Sequence, residues 1–388
     1  MRRPVRLQHE QGVTFVELFF DLVFVYAVTQ LTSSVLHDLT WPGVGHAALL
    51  FWLVWWAWTQ FTWTLNLADT EHALIRLPVL AATAAAFFLA QAVPDAFGDA
   101  GLWFASSYVT VRLLGLGLQE WIGRVGERPS AALDRWVGLS LVGLLLVLTG
   151  GIVEGDLRVW LWGGALAADL VAATLAGESE WEIVPGHFAE RHGLIVIIAL
   201  GESLIAAGVA TADVERGGLF ALTATGAVLA TCALWWTYFG TLHERLAEAL
   251  SETAHRGSFA RDVYSFWHAI VVFGVIGIAV GFEEAIAHPA DPLPAAAGWS
   301  LAVGAVLFVG GATGAARRAG IRDVLAPRAG FMFLALLLGL LGPLVDAGGV
   351  LWGLVALAGA LAAIETGGSQ ARPGAGEQAN TSPPEPAP

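Results

Sequence analysis

Glu17 and Asp21 stand four residues apart in a largely apolar run, Phe15 to Val35, so on a helix they share one face about one turn apart. A third carboxylate, Glu202, interrupts another apolar run, Leu194 to Val209. Carboxylates held away from water take up a proton more readily, so one of them can load and release a proton near neutral pH. An ionised one attracts a cation. Arg112, in Tyr108-Val109-Thr110-Val111-Arg112, is a candidate counter-charge for Glu17 or Asp21 under a structural reading, with Gln119 seven residues further along the same face. Asp169 and His268 complete the set of polar groups in apolar surroundings. The competing reading is structural: a buried ion pair can fix helix packing without any other role.

Other chemistries lack their residues. Glu178, Glu180, Glu182, His187, Glu190 and His192 form an acidic, His-bearing segment, but their spacing fits no standard metal site, and an interfacial turn is expected there. The chain has no G-x-S-x-G, H-E-x-x-H or P-loop, and no nucleophile–base pair. No catalytic residue, metal or cofactor is expected, and the chain is read as not an enzyme. The one cysteine, Cys232, excludes an intramolecular disulfide.

The elements that must position these acids follow from composition. Hydrophobic residues make up 56% of the 388 residues and charged ones 13%, where soluble domains carry about 25%. The mean hydropathy is +0.66. Lipid, not water, must surround most of such a surface. The net charge of −14 and the absence of clustered basic residues exclude a nucleic-acid partner. A span needs about 20 mostly apolar residues. Twelve stretches qualify: 13–36, 44–65, 73–93, 101–122, 136–153, 158–176, 192–210, 218–240, 263–287, 297–315, 327–345 and 348–365. The expected fold is therefore an all-α polytopic membrane bundle, with the bilayer as partner. Arg2, Arg3 and Arg6 resemble the start of a signal peptide, but the apolar segment after them is long and carries two acids, so it reads as a retained span.

Every basic residue is Arg, 19 in all. With the N-terminus inside, sixteen fall in inside segments, two (Arg158 and Arg216) in outside loops and Arg112 within a span. The positive-inside rule then places both termini in the cytoplasm, in the inner (plasma) membrane. Residues 1–12 form a short N-terminus, 177–191 a cytoplasmic linker and 366–388 a Pro-, Gly- and Glu-rich tail expected to be disordered.

The halves 13–176 and 192–365 read as two repeats. Phe20-Asp21-Leu22 is matched by Gly201-Glu202-Ser203, Trp55-Trp56 by Trp235-Trp236, and His72 by His268, in the same order. Six spans is an even number, so the repeats would be parallel. From the expected starts of their spans, Asp21 lies about 12 Å deep and Glu202 about 13–15 Å deep at about 1.5 Å per residue. Asp21 and Glu202 are thus expected to point into one shared polar interior, with Glu17 nearer the cytoplasm.

Val16-Glu17-Leu18-Phe19-Phe20-Asp21-Leu22-Val23-Phe24-Val25 and the stretch Phe188-Ala189-Glu190-Arg191-His192 through Gly201-Glu202-Ser203 resemble the bacterial low temperature requirement protein A (LtrA) family. The likeness runs from about residue 10 to 365. It implies a multi-span membrane protein with a role linked to growth in the cold, and no mechanism. His192 stands where members often carry an aromatic. In plan, the chain is also similar to the endolysosomal potassium channels, with their Phe-Ser-Asp motif in the first span of each repeat. Phe20 here replaces the serine and Glu17 the preceding arginine, so that likeness carries the plan and not potassium selectivity.

The residues favour movement of a monovalent cation, a proton or a proton-coupled solute along a path of Glu17, Asp21 and Glu202. The rival is a scaffold or cold-stress protein whose charges only fasten helices; an enzyme acting on lipid ranks third. Neither substrate nor oligomeric state is legible. The Arg distribution predicts that a reporter fused after Arg256 or Arg322 reports cytoplasm, and one after Glu154 or Asp213 the opposite side. A reporter at Arg256 reading the far side overturns this topology.

Overall fold

The computed structural model describes residues 12–125, 131–176, 182–210 and 217–370. Among them the chain is helical and has no strand, only an isolated bridge between Pro292 and Asp346. The expected N-terminal segment up to residue 11, the start of the linker (177–181) and the tail from 371 lie outside the described residues. In order, the helices are α1 (Phe15–His37), α2 (Trp41–Leu65), α3 (Ala73–Ala92), α4 (Gly101–Val125), α5 (Ala131–Ile152), α6 (Asp156–Ala176) and α7 (Pro185–Ala210). There follow α8 (Gly218–Trp235), α9 (His243–Glu252), α10 (Arg256–Ala260), α11 (His268–Ala287), α12 (Ala295–Arg318), α13 (Leu325–Leu341) and α14 (Ala347–Gln370). Two π-helical stretches, Trp236–Gly240 and Arg261–Trp267, prolong α8 and join α10 to α11.

All twelve apolar stretches are helical. Nine helices among the described residues are long and apolar enough to cross a membrane, which marks a multi-pass membrane protein. They are α1, α3, α4, α7, α8 continued through α9, α10 continued through α11, α12, α13 and α14. Trp136–Ile152 of α5 is apolar but shorter. The other two, α2 and α6, owe their lower hydropathy to Trp and Thr in α2 and to Asp156, Arg158 and Asp169 in α6.

Local chemistry sets the helix starts. Thr14 precedes α1, and its backbone N–H donates back to the Glu17 carboxylate at 3.0 Å, half of a capping box. Thr40 caps α2, with Pro42 in its first turn. The α5–α6 hairpin turns at Gly155, whose φ of +66° suits glycine. Pro185 opens α7 earlier than its apolar run does, so residues 185–191, assigned to a linker, are helical. In the same way α14 runs five residues into the expected tail, to Gln370. The amphipathic α9 is an additional element: Leu246 and Leu250 are buried one turn apart beneath Glu244, Arg245 and Glu248.

At the centre lies α11, with 72% of its apolar window buried against 28% for α13. It packs on α1, α7 and, most extensively, α12. Glycines make that last contact possible. A Cβ on Gly274 would stand 2.5 Å from the Phe308 nitrogen, and one on Gly304 would stand 2.6 Å from the Ile278 nitrogen. The two backbones touch, as small residues allow in lipid. Gly304→Val should therefore cost about 1–3 kcal/mol through overpacking. Thermal unfolding in detergent reads this directly. Gly359→Ala, where nothing lies within 4 Å of the added carbon, serves as the control expected to be neutral.

Candidate functional site

Two helices bring the acids to their partners. On α1, Glu17 and Asp21 are spaced i, i+4; on α7, His187 and Arg191 have the same spacing. Glu17 meets His187, Asp21 meets Arg191, and further along Thr29 meets Glu202. Residue numbers rise together along both helices, so α1 and α7 run parallel.

The centre of this seam is Arg191. Its Nη2 donates to Asp21 Oδ1, and its Nη1 lies 3.5 Å from Glu17 Oε1. All three side chains are fully buried. Trp58 of α2 donates its indole N–H to the same Asp21 oxygen at 2.7 Å, and its ring lies beneath the guanidinium, 5.7 Å from centroid to Cζ. Glu17 also accepts at Oε2 from Thr14 and from His187, whose Nε2 stands 3.3 Å away. The tautomer of His187 follows from Asn66. The Asn66 oxygen accepts from the Val184 N–H at 2.8 Å, so its amide nitrogen faces His187 Nδ1 at 3.3 Å. Nδ1 is then the acceptor, and Nε2–H donates to Glu17. With a neutral imidazole the cluster holds two carboxylates against one guanidinium, one negative charge in excess. Glu17 Oε1, Asp21 Oδ2 and the Nε and Nη1 of Arg191 have no hydrogen-bond partner among the described residues.

Arg112 is not part of this cluster, contrary to the expected pairing. It binds Asp169 of α6 in a two-pronged contact at 3.2 and 3.3 Å, and Tyr108 Oη at 2.6 Å. α4 packs away from α7, so its guanidinium reaches the last helix of its own half. Gln119 lies elsewhere on α4, with a buried Oε1 that has no hydrogen-bond partner among the described residues. Asp21 and Glu202 do not share one polar interior either. Glu202 is half-buried and accepts from Thr29 at 2.5 Å, two turns beyond Asp21 along α1. Buried Phe24, Val25 and Val28 lie between those levels. The physical reason is the early start of α7, which carries Glu202 seventeen residues into its helix, about 26 Å at about 1.5 Å per residue.

His268 enters a second buried group behind Trp58. Its Nδ1 faces the Val263 carbonyl at 2.8 Å across the π-helical turn, which leaves Nε2 to accept from Tyr238 Oη at 2.5 Å. His192 has its Nδ1 on the Phe188 carbonyl at 2.9 Å and packs edge-on against Trp58. The matched residues of the two halves differ here: His72 caps α3, whereas His268 is buried, and Trp55 and Trp56 are buried, whereas Trp235 and Trp236 are partly exposed.

His187, Arg191, Trp58 and Asn66 escape a sequence search. The first two sit in a segment assigned to a linker, Trp58 inside the expected span 44–65 and Asn66 just past its end. One signal existed: the His–Arg pair repeats the i, i+4 spacing of the Glu–Asp pair, with complementary charge. Arg191→Met should cost about 3–5 kcal/mol, because it strands two buried carboxylates. Combining it with Glu17→Gln and Asp21→Asn should recover most of the lost thermal stability in detergent. A single variant as stable as the parent removes Arg191 from the centre of the site.

No solved structure matches the chain. An uncharacterized protein of Rhizobium meliloti (strain 1021) is 33% identical over 290 residues, which cover 71% of this chain and 70% of that protein. The family described as bacterial low temperature requirement A protein (LtrA) matches residues 12–363, a span that contains the whole α1–α7 seam and both halves of its ion cluster. The chain belongs to the LtrA family.

Proposed function

We propose that this LtrA-family protein is a twelve-span bundle of two parallel six-helix repeats that carries a proton, or a solute coupled to one, along the seam between α1 and α7. Parity supports the span number. With only α1, α3 and α4 crossing before it, α7 would run antiparallel to α1; counting α2, α5 and α6 as spans gives six and the parallel pair observed. The neighbour pattern supports the repeat. α1 packs on α3 as α7 does on α11, α3 on α4 as α11 on α12, and α2 on α6 as α8 on α14. Cytoplasmic termini and an inner-membrane location follow from the Arg distribution.

One observation carries the transport reading. Asp21 and Glu17 share a single guanidinium in a fully buried site, and each keeps one oxygen without a hydrogen-bond partner among the described residues. A dry cluster with one negative charge in excess favours the arrival of one positive charge. A proton fits, because it needs only the free lone pair on Asp21 Oδ2. Proton loading of Asp21 weakens its hold on Arg191, and that loosens the contact between the two helices. Loading and helix movement are then one event. Glu202, half-buried beside Thr29, lies two turns beyond this loading site, past the buried Phe24, Val25 and Val28, and is not part of it.

The test is proton flux into liposomes holding the purified protein, read by an enclosed pH dye under an imposed potential. Asp21→Asn should lower the flux at least tenfold with the fold retained, and Glu202→Gln should lower it less. A wild type that passes no protons, or an Asp21→Asn protein that passes as many, overturns the transport reading. Loss of thermal stability with flux spared supports the scaffold instead.

A further inference from the structure

Between the two halves, away from the ion cluster, lies a groove of about 570 Å³. Its walls come from the C-terminal end of α1, the start of α2, and the facing sides of α11 and α12. We propose that this groove seats one acyl chain of a membrane phospholipid whose headgroup carries an amine, in the leaflet at the C-terminal end of α1.

Its depth fits one leaflet. On α12 the lining runs from Ala296 to Leu307. That is eleven residue-to-residue steps, about 16 Å of helix at about 1.5 Å per step. The hydrocarbon core of a bilayer is about 30 Å thick, so the groove spans about half of it. The deep end closes on Phe273 and Leu307. Trp41 and Trp299 stand at the shallow end, 91% and 40% exposed. Both lie in the opening turns of their helices, where Trp rings mark the boundary between headgroups and hydrocarbon.

The wall is apolar and smooth. Gly277 and Gly304 line it where α11 and α12 touch through backbone. Thr40 and Ser300 supply its hydroxyls, and Ser300 donates to the Gly277 carbonyl at 3.2 Å. An extended hydrocarbon chain can lie against such a wall without stranding a polar group.

Charge at the mouth selects the headgroup. Asp38 directly precedes the lining residues Leu39 and Thr40 and is exposed. It accepts from the Thr40 hydroxyl at 2.6 Å and the Thr40 N–H at 3.2 Å, which hold its carboxyl below the usual value. A fixed carboxylate there attracts an ammonium and repels an anionic headgroup. The groove thus suits phosphatidylethanolamine better than phosphatidylglycerol.

Two measurements test this on the intact protein. In nanodiscs of mixed composition, phosphatidylethanolamine with a photoreactive group near the end of its acyl chain should label mainly Phe273 and the Val303–Leu307 turn of α12. Labelling spread evenly around the apolar belt, including the exposed leucines of α13, means ordinary surrounding lipid and overturns the proposal. Native mass spectrometry after delipidation should find one retained phosphatidylethanolamine, favoured several-fold over phosphatidylglycerol. Val303→Trp, which fills the groove, should lose it, and Asp38→Asn should erase the preference while keeping the lipid. Retention unchanged in a folded Val303→Trp protein overturns the site. Equal retention of the two lipids by the wild type overturns the headgroup assignment.

Discussion

Arg191 is a single guanidinium, fully buried and shared by two carboxylates of a neighbouring helix, and the membrane core is arranged around that fact. Taking any one of these charges out of water costs several kcal/mol, and only close, well-oriented partners offset it. The partners lie one turn apart on two helices, so they bind only when α1 and α7 run parallel at one register. Trp58 brings α2 to the same point, and Asn66 fixes the end of α2 to the backbone before α7. The ion cluster therefore decides which helices are neighbours, a task that apolar surfaces in lipid perform poorly because lipid is as apolar as they are.

The same device recurs in each half. Arg112 closes α4 onto Asp169 of α6, and Arg328 of α13 closes onto Glu365 of α14 with bonds of 2.6 and 3.1 Å. In both the geometry is two-pronged, which adds orientation to attraction. Arg328 also donates to the Thr237 carbonyl in the π-helical turn after α8, where the wider winding leaves backbone oxygens in need of donors. Arg158 plays a different part. Its guanidinium collects the carbonyls of Ala96, Gly98, Gly150 and Val153, near the C-terminal ends of α3 and α5. A cation there satisfies helix ends that have no further turn to bond. These pairs balance their charges one to one. The Glu17–Asp21–Arg191 cluster does not: two carboxyl groups share one guanidinium.

Sequence alone determines the class and the helices. Long apolar runs in a chain with few charges have one low-energy solution in lipid, because a helix satisfies its own backbone, and no partner is needed to deduce it. The acids on α1 are legible for the same reason: their cost is visible wherever the helix goes. Helix ends are less legible. The start of α7 depends on Pro185 and on burial of His187 and Arg191, which look like loop residues until α1 lies beside them.

Only the tertiary structure decides which charge meets which. Arg112 and Arg191 are equally good partners for Asp21 by type. The choice rests on which helices lie side by side, a matter of packing between segments some 170 residues apart. Depth behaves similarly: seven extra residues at the start of α7 move Glu202 two turns away from Asp21 and dissolve an interior that equal spacing suggests. Charge and hydropathy are properties of a residue and can be read along the chain, whereas a shared guanidinium is a property of a distance between helices, and no local pattern encodes it.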